Sequence, residues 1–292
     1  MSLTKFVQEK DVKERLRQEF QKPRFSVKKD LLAPPLTTRY TLVGTAFDYL
    51  LRFYVQYLNP EAVAKEWVAE LSVTHRLSPL LTNVVVSSAS GRIVSFTETE
   101  QTRRAQRIIE QAKRAHSEYP SSGEITDKLI KNTLLLAQLD PIYRARFVDE
   151  NIGTVHKEDV ADLRNLISIV DPDVFRARRL CLLNPTFGEA SGLVGGADVD
   201  LVIDDVIIDV KTTKKLELRR QYFDQLMGYY VLHEVAGVGE LRPKPEVTKV
   251  AIYFSRYAHM YVIELHEVID RQTFPGFVRW FKDRASTQQA AA

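Results

Sequence analysis

The spacing of hydrophobic positions along the chain changes character near Pro172. Before it, apolar residues recur mostly at the three-to-four spacing of amphipathic helices. After it, short blocks rich in Val, Ile and Leu carry the signature of strands. Residues 6–22, with Phe6, Leu16 and Phe20 set among charges, predict a first helix, and Pro23 and Pro34-Pro35 then impose an extended lead-in. Helices are expected from about Gly44 to Leu58 and over 61–77, 98–116, 125–138, 141–149 and 157–169, with a hairpin at 84–96 and a loop at Pro120-Ser121-Ser122-Gly123. Strands are expected over 178–184, 193–203, 206–212, 248–255 and 259–265. A helix over 216–235 separates the third from the fourth, and a helix over 277–285 precedes a frayed Gln-Gln-Ala tail. The expected organisation is a mostly helical region over 1–175, including a first core helix near 44–58, ahead of a compact strand-rich module over 176–292. No internal repeat or low-complexity tract interrupts it.

Composition narrows the class. In 292 residues, 45% are hydrophobic and 27% charged, which suits a globular chain with a sizeable core. A net charge of +3 permits a polyanionic partner without demanding one. The single cysteine, Cys181, can form no internal disulfide and cannot supply the thiolates of a zinc ribbon or iron–sulfur cluster. With the charged, interrupted amino-terminal pattern and no run of about 18 apolar residues, the expectation is a cytoplasmic protein without secretory signal or membrane span.

The stretch richest in chemistry is Gly195 to Thr212. It reads as two strands joined by a tight turn at Asp204-Asp205, which sets Asp200 opposite Asp209 and Asp198 opposite Lys211. Alternation then puts Val199, Leu201, Ile203, Val206, Ile208 and Val210 on one apolar face. The other face carries Asp198, Asp200, Asp209 and Lys211, with Val202 and Ile207 nearer the turn. Opposed side chains sit about 4.5–5.5 Å apart at Cβ, and like charges so placed repel. Two carboxylates there call for a cation, and Mg²⁺ or Mn²⁺ with oxygen ligands is the natural one, supplemented by Lys211. A solvated acidic hairpin on an ordinary sheet is the plainer alternative.

These residues resemble the PD-(D/E)XK nuclease superfamily, and within it the RecB-type branch. The match runs through Gly196 to Asp200, then Ile207-Ile208-Asp209-Val210-Lys211-Thr212, then Gln225-Leu226-Met227-Gly228-Tyr229. The resemblance implies an α/β, restriction-endonuclease-like core, a central mixed sheet flanked by helices, with a helical amino-terminal region. It implies Asp200 and Asp209 as ligands of a divalent metal, with Val210 as a further ligand. Lys211 would orient the attacking water and neutralise charge, and Gln225 and Tyr229, four apart on one helix face, would line the site. The implied activity is Mg²⁺-dependent hydrolysis of DNA phosphodiester bonds in recombination, repair or defence, as an endo- or exonuclease. Two departures stand out. Where members often carry a His after Gly-Thr on the first helix, this chain has Asp48, which either ligates metal or pairs with Arg52 one turn on. The Gly-to-Asp spacing is one residue longer than usual, which leaves Asp198 as a rival to Asp200.

Further residues have two readings each. Glu189 is a candidate acid or a plain surface carboxylate. Lys214, Lys215, Arg219 and Arg220 are phosphate contacts or a solvated helix start. Tyr222 and Tyr229 stack on bases or pack in the core. There is no P-loop, hence no ATP motor expected, and the six histidines lack zinc spacing. Two competing classes remain beside the nuclease. One is an inactive nucleic-acid-binding or assembly protein on the same scaffold. The other is a homo-oligomer or partner-dependent subunit docking through its helical region.

Overall fold

The computed structural model describes residues 2–73, 86–87, 93–94, 98–145 and 152–290. The chain forms two compact units that interleave along the sequence. The first comprises Met1–Leu31, Asn59–Ala64 and Asp171–Ala292, and the second Leu32–Leu58 and Lys65–Val170. The hydrophobic pattern placed a single junction near residue 175. The amino-terminal stretch joins the strand-rich unit because its apolar stripe (Leu3, Phe6, Val12, Leu16, Phe20) is fully buried in the same cluster as Phe223, Leu226 and Met227. An amphipathic stripe specifies that a helix must be covered but not by what.

Eight strands are described: β1 (Val63–Ala64), β2 (Val86–Ser87), β3 (Ile93–Val94), β4 (Cys181–Leu183), β5 (Leu201–Ile203), β6 (Val206–Lys211), β7 (Lys249–Phe254) and β8 (His259–Glu264). In the first unit six of them make one mixed sheet in the order β1-β4-β5-β6-β7-β8. Strands β4, β5 and β6 form an antiparallel meander. Strand β7 lies parallel to β6, and the helix Arg220–Ala236 makes the crossover that such a pair requires. Strand β8 returns antiparallel to β7, and β1 pairs parallel with β4 at the edge.

Both faces of this sheet are buried. Leu182, Val202, Ile207, Val250 and Ile263 stand in one cross-strand row and share a cluster with the crossover helix and with Phe277 and Phe281 of the closing helix Phe274–Ala290. On the opposite face Leu201, Ile208 and Ala251 are buried, and the Tyr253 ring meets Phe175 edge-on at 4.9 Å. Of the expected apolar face, Val199, Leu201, Ile203 and Ile208 are buried, whereas Val206 and Val210 are only partly so. The acid-bearing face is therefore roofed by helices and is not a solvated surface.

Several elements differ from the sequence expectation for local reasons. Residues 193–200 form no strand. A short helix, Glu189–Leu193, is followed by Gly195 (φ +75°) and Gly196 (φ +120°), and this double left-handed bend turns the chain into β5. The expected first helix splits into Leu3–Phe6 and Lys10–Glu19, with Glu9 extended between them. Of the helix expected over 61–77, the described part holds β1 and a four-residue helix, Val68–Leu71, and residues 74–77 lie outside the described residues. Helix Glu98–Ser122 runs through Pro120 and stops at Gly123 (φ +65°), so the punctuation comes from the glycine. The hairpin at 84–96 occurs as β2 paired antiparallel with β3, and its turn lies outside the described residues.

The second unit is helical. Tyr40–Leu58 packs on Asp127–Ala137 and Lys157–Ser168, and Glu98–Ser122 packs on Asp127–Ala137. The Tyr49 hydroxyl, inside this unit, donates to Asp140 Oδ1 at 2.6 Å and accepts from the Ala69 amide at 3.1 Å. Among the described residues no helix is long and apolar enough to cross a membrane.

Candidate metal and phosphate site

The β5–β6 hairpin has the register read from its sequence: Leu201 pairs with Ile208, Val202 with Ile207 and Ile203 with Val206 across the Asp204-Asp205 turn. Both turn acids are engaged in building it. Asp204 takes φ +52° and its carboxylate accepts the amides of Arg178, Arg179 and Leu180 at 2.8–3.1 Å. Asp205 accepts from the Thr248 hydroxyl and from Lys249 Nζ at 3.2 Å. These bonds tie the hairpin to both neighbours and fix which residues reach its open end.

At that open end the ladder stops at Leu201. The chain of Asp198–Asp200 stays with β4, through the Asn184 amide to the Asp200 carbonyl at 2.9 Å and a bridge between Thr186 and Asp198. It thus peels away from β6, and Asp200 and Asp209 lie beyond the last paired residues. In place of a main-chain bond, the Asp200 carboxylate reaches across to accept the Val210 amide at 2.6 Å. Asp200 is thereby held against β6 between the two residues expected to share its chemistry.

Asp209 and Lys211 point under the crossover helix. Lys211 Nζ is 2.7 Å from Asp209 Oδ2 and donates to Gln225 Oε1 at 3.2 Å. Gln225 Nε2 in turn donates to the Tyr229 hydroxyl at 2.8 Å and to Thr4 Oγ1 at 3.3 Å. The spacing of Gln225 and Tyr229 puts both on the helix face that meets the sheet, and Phe187 stacks on the Tyr229 ring at 5.7 Å. On the solvent side, Lys211 Nζ lies 5.1 Å from the Tyr222 ring centroid and the Arg219 guanidinium lies 5.6 Å from it. Tyr222 is thus flanked by an inner and an outer cation.

The electrostatics follow from this burial. Desolvation pushes the Asp209 carboxyl above its ordinary pKa, against the pull of Lys211. For Lys211, burial favours the neutral amine, but Asp209 and then Asp200 outweigh it and hold the proton more firmly than usual. The Tyr229 hydroxyl is pushed well up, first by burial and then by Asp209, Asp200 and Asp198 in that order. The charges of three carboxylates are therefore felt at one buried phenol, and that of one ammonium at two of the carboxylates. The donor set is made of hard oxygens and carries an excess of negative charge, which fits an oxygen-preferring divalent ion held by Asp200 and Asp209. Among the described residues no group of three or more His, Cys, Asp or Glu side chains gathers as a ready-made metal cluster.

The other sequence candidates fall in different places. Asp48 belongs to the second unit, where its carboxylate pairs with Arg52 at 2.6 Å. Glu189 is exposed in the first turn of its short helix. Lys214, Lys215 and Arg219 are exposed, and Arg219 pairs with Glu217 at 2.6 Å. Arg220 points inward: it pairs with buried Asp224 at 2.7 Å and donates to the carbonyls of Leu16 and Phe20. The spacing of Arg220 and Asp224 could have signalled that pairing. Nothing in the local pattern could have signalled Thr4, which reaches Gln225 only because the amino-terminal helix docks there. No family model, curated protein or solved structure matches this chain.

Proposed function

We propose that the protein is a metal-dependent nuclease, hydrolysing phosphodiester bonds of DNA with Mg²⁺ or Mn²⁺ held by Asp200 and Asp209. One observation carries the reading: a buried carboxylate and a half-buried ammonium, Asp209 and Lys211, lie 2.7 Å apart beside a second carboxylate at the open end of the hairpin. A buried ion pair is poor value for stability alone, since apolar residues of similar size usually do as well or better. Perturbed, charge-coupled groups of this kind mark functional sites more often than structural ones. The order of elements, a Gly-Gly bend, an acidic strand approach, the Asp209-Val210-Lys211 strand and the Gln225/Tyr229 helix, agrees with the PD-(D/E)XK resemblance.

In hydrolysis a water oxygen forms a bond to phosphorus as the bond to the leaving oxygen breaks, and negative charge grows on the phosphoryl oxygens. Lys211 supplies a compact positive charge against that growth and a donor that places the water. Gln225 fixes the direction of the ammonium. Asp200, locked on the Val210 amide, presents a carboxylate without needing to reorganise. The Val210 carbonyl lies on the same stretch of main chain as a further oxygen. A bound divalent ion would add charge neutralisation and a lowered pKa for water.

One observation favours a second reading, an inactive nucleic-acid-binding protein: Asp209 is already neutralised by Lys211, and Asp200 already serves the Val210 amide. The deciding experiment is cleavage of linear, circular, single- and double-stranded DNA, and of RNA, with Mg²⁺, Mn²⁺ or chelator. Metal-dependent cleavage that is lost in Asp209→Asn and in Lys211→Met, with circular dichroism unchanged, supports the nuclease. Binding without cleavage under every condition selects the second reading.

A further inference from the structure

The segment that follows the amino-terminal helices, residues 21–31, belongs to no helix or strand. Its side chains nevertheless alternate: Arg24, Ser26 and Lys28 are exposed, while Pro23, Phe25 and Val27 are partly buried. It is pinned rather than loose. The Phe25 ring packs on Tyr261 at 4.8 Å and on Phe254 at 5.8 Å, and Lys22 Nζ donates to the Leu218 carbonyl at 3.2 Å. Burial first, and then the Lys29 ammonium, keep the His259 imidazole below its ordinary pKa. Between Glu19 and Asp30 the segment carries Lys22, Arg24, Lys28 and Lys29 and no acid.

Its position relative to the site follows from the register. Lys211, Phe254 and His259 stand in one cross-strand row, and Asp209, Ile252 and Tyr261 in the next row to share its face. Phe25 therefore lies on the face that bears Asp209 and Lys211, against the same two rows. Adjacent strands are about 4.8 Å apart, so the row from Lys211 to His259 spans about 10 Å. On the other flank, Lys22 ties the segment to the Lys214–Arg219 loop, where Lys215 and Arg219 are exposed and Arg219 shares the Tyr222 ring with Lys211.

We propose that residues 22–29 are a phosphate-backbone track, on which Arg24, Lys28 and Lys29, together with Lys215 and Arg219, hold a nucleic-acid strand with one phosphate at Lys211. This rests on the nuclease reading for the role of Lys211, but not for binding itself. The contacts are to phosphate, so the track is indifferent to base sequence. Arg220, committed to Asp224 and to helix carbonyls, takes no part in it.

The test is binding of a fluorescent 20-nucleotide duplex and its single strand in chelator, by anisotropy over a series of NaCl concentrations. The full chain is compared with Arg24→Gln/Lys28→Gln/Lys29→Gln and with Lys28→Arg/Lys29→Arg. Each phosphate contact contributes about 0.9 to the slope of log K against log salt on duplex. The triple Gln variant is expected to lose about 2–3 from that slope and to bind at least tenfold more weakly at low salt, with an unchanged melting temperature. The Arg variant is expected to keep the wild-type slope. An unchanged slope in the triple Gln variant overturns the track, as does binding to phosphatidylserine vesicles in preference to either nucleic acid. Track-dependent binding by a wild-type protein that never cleaves upholds the track and rejects the nuclease.

Discussion

Lys211 Nζ lies 2.7 Å from Asp209 Oδ2, with the carboxylate side chain 4% exposed and the lysine 20% exposed. Stripping water from two charges costs several kcal/mol for each, and a single pair rarely regains all of it. The pair is therefore expected to be a net burden on folding that activity maintains. Replacing both partners, as Asp209→Leu with Lys211→Met, should leave the protein at least as stable as wild type in urea unfolding while abolishing cleavage. Loss of more than about 2 kcal/mol in the double variant would show a structural role.

Gln225 connects the ammonium to Tyr229 and Thr4. Gln225→Leu should leave Lys211 without its second anchor and lower kcat/KM for DNA by about 10- to 100-fold, equivalent to about 1.4–2.7 kcal/mol. Thr4→Val should have a smaller effect in the same direction. The check is steady-state cleavage alongside thermal melting. A Gln225→Leu protein that melts normally and cleaves at the wild-type rate would remove Gln225 from the site.

Asp204 anchors the turn that sets the register. Asp204→Ala strands three amides and should cost about 1–3 kcal/mol. Despite partial burial, those amides hold the Asp204 carboxyl below its ordinary pKa. Its contribution is therefore present above the unfolded carboxylate value and fades as pH falls through the native one. The stability difference between wild type and Asp204→Ala should accordingly narrow on acidification below about pH 4.

In the helical unit, burial raises Asp140 from 3.8 to about 6, although Arg144 and the Tyr49 hydroxyl oppose the shift. A raised native pKa means that the folded state binds more protons than the unfolded one between those two values. This group's contribution to stability is thus full below about pH 4 and is lost as pH rises to about 6. Asp140→Asn keeps an acceptor for Tyr49 and removes the titration. The melting temperature of Asp140→Asn should gain on that of wild type across this window, by a free-energy difference on the order of 3 kcal/mol. A constant difference from pH 4 to 7 would contradict it.

The hairpin register and the shared face of Asp209 and Lys211 were legible because strict alternation and a two-acid turn leave few alternatives, whereas Gln225 was expected beside them only through the resemblance. The departure of Asp198–Asp200 from the ladder was not legible. It depends on β4 competing for the same strand and on Gly195-Gly196 turning a short helix into it. Nor could the sequence show that the acidic face is covered: the helix over 216–235 was legible, but its docking on that face, and the packing of Leu3 and Phe6 into the same cluster from some two hundred residues away, were not. Asp48 and Arg52 were recognisable as a helical i,i+4 pair, and the pair is formed.

The central claim is that Asp200 and Asp209 converge where a divalent ion can sit beside Lys211. Electron paramagnetic resonance of Mn²⁺ titrated into the protein at pH 7.5, without nucleic acid, tests it most directly. Wild type should take up Mn²⁺ in a site that Mg²⁺ displaces, and Asp200→Asn/Asp209→Asn should lose that uptake while melting normally. Equal uptake by both proteins, or none by wild type even with a DNA strand present, would contradict the account.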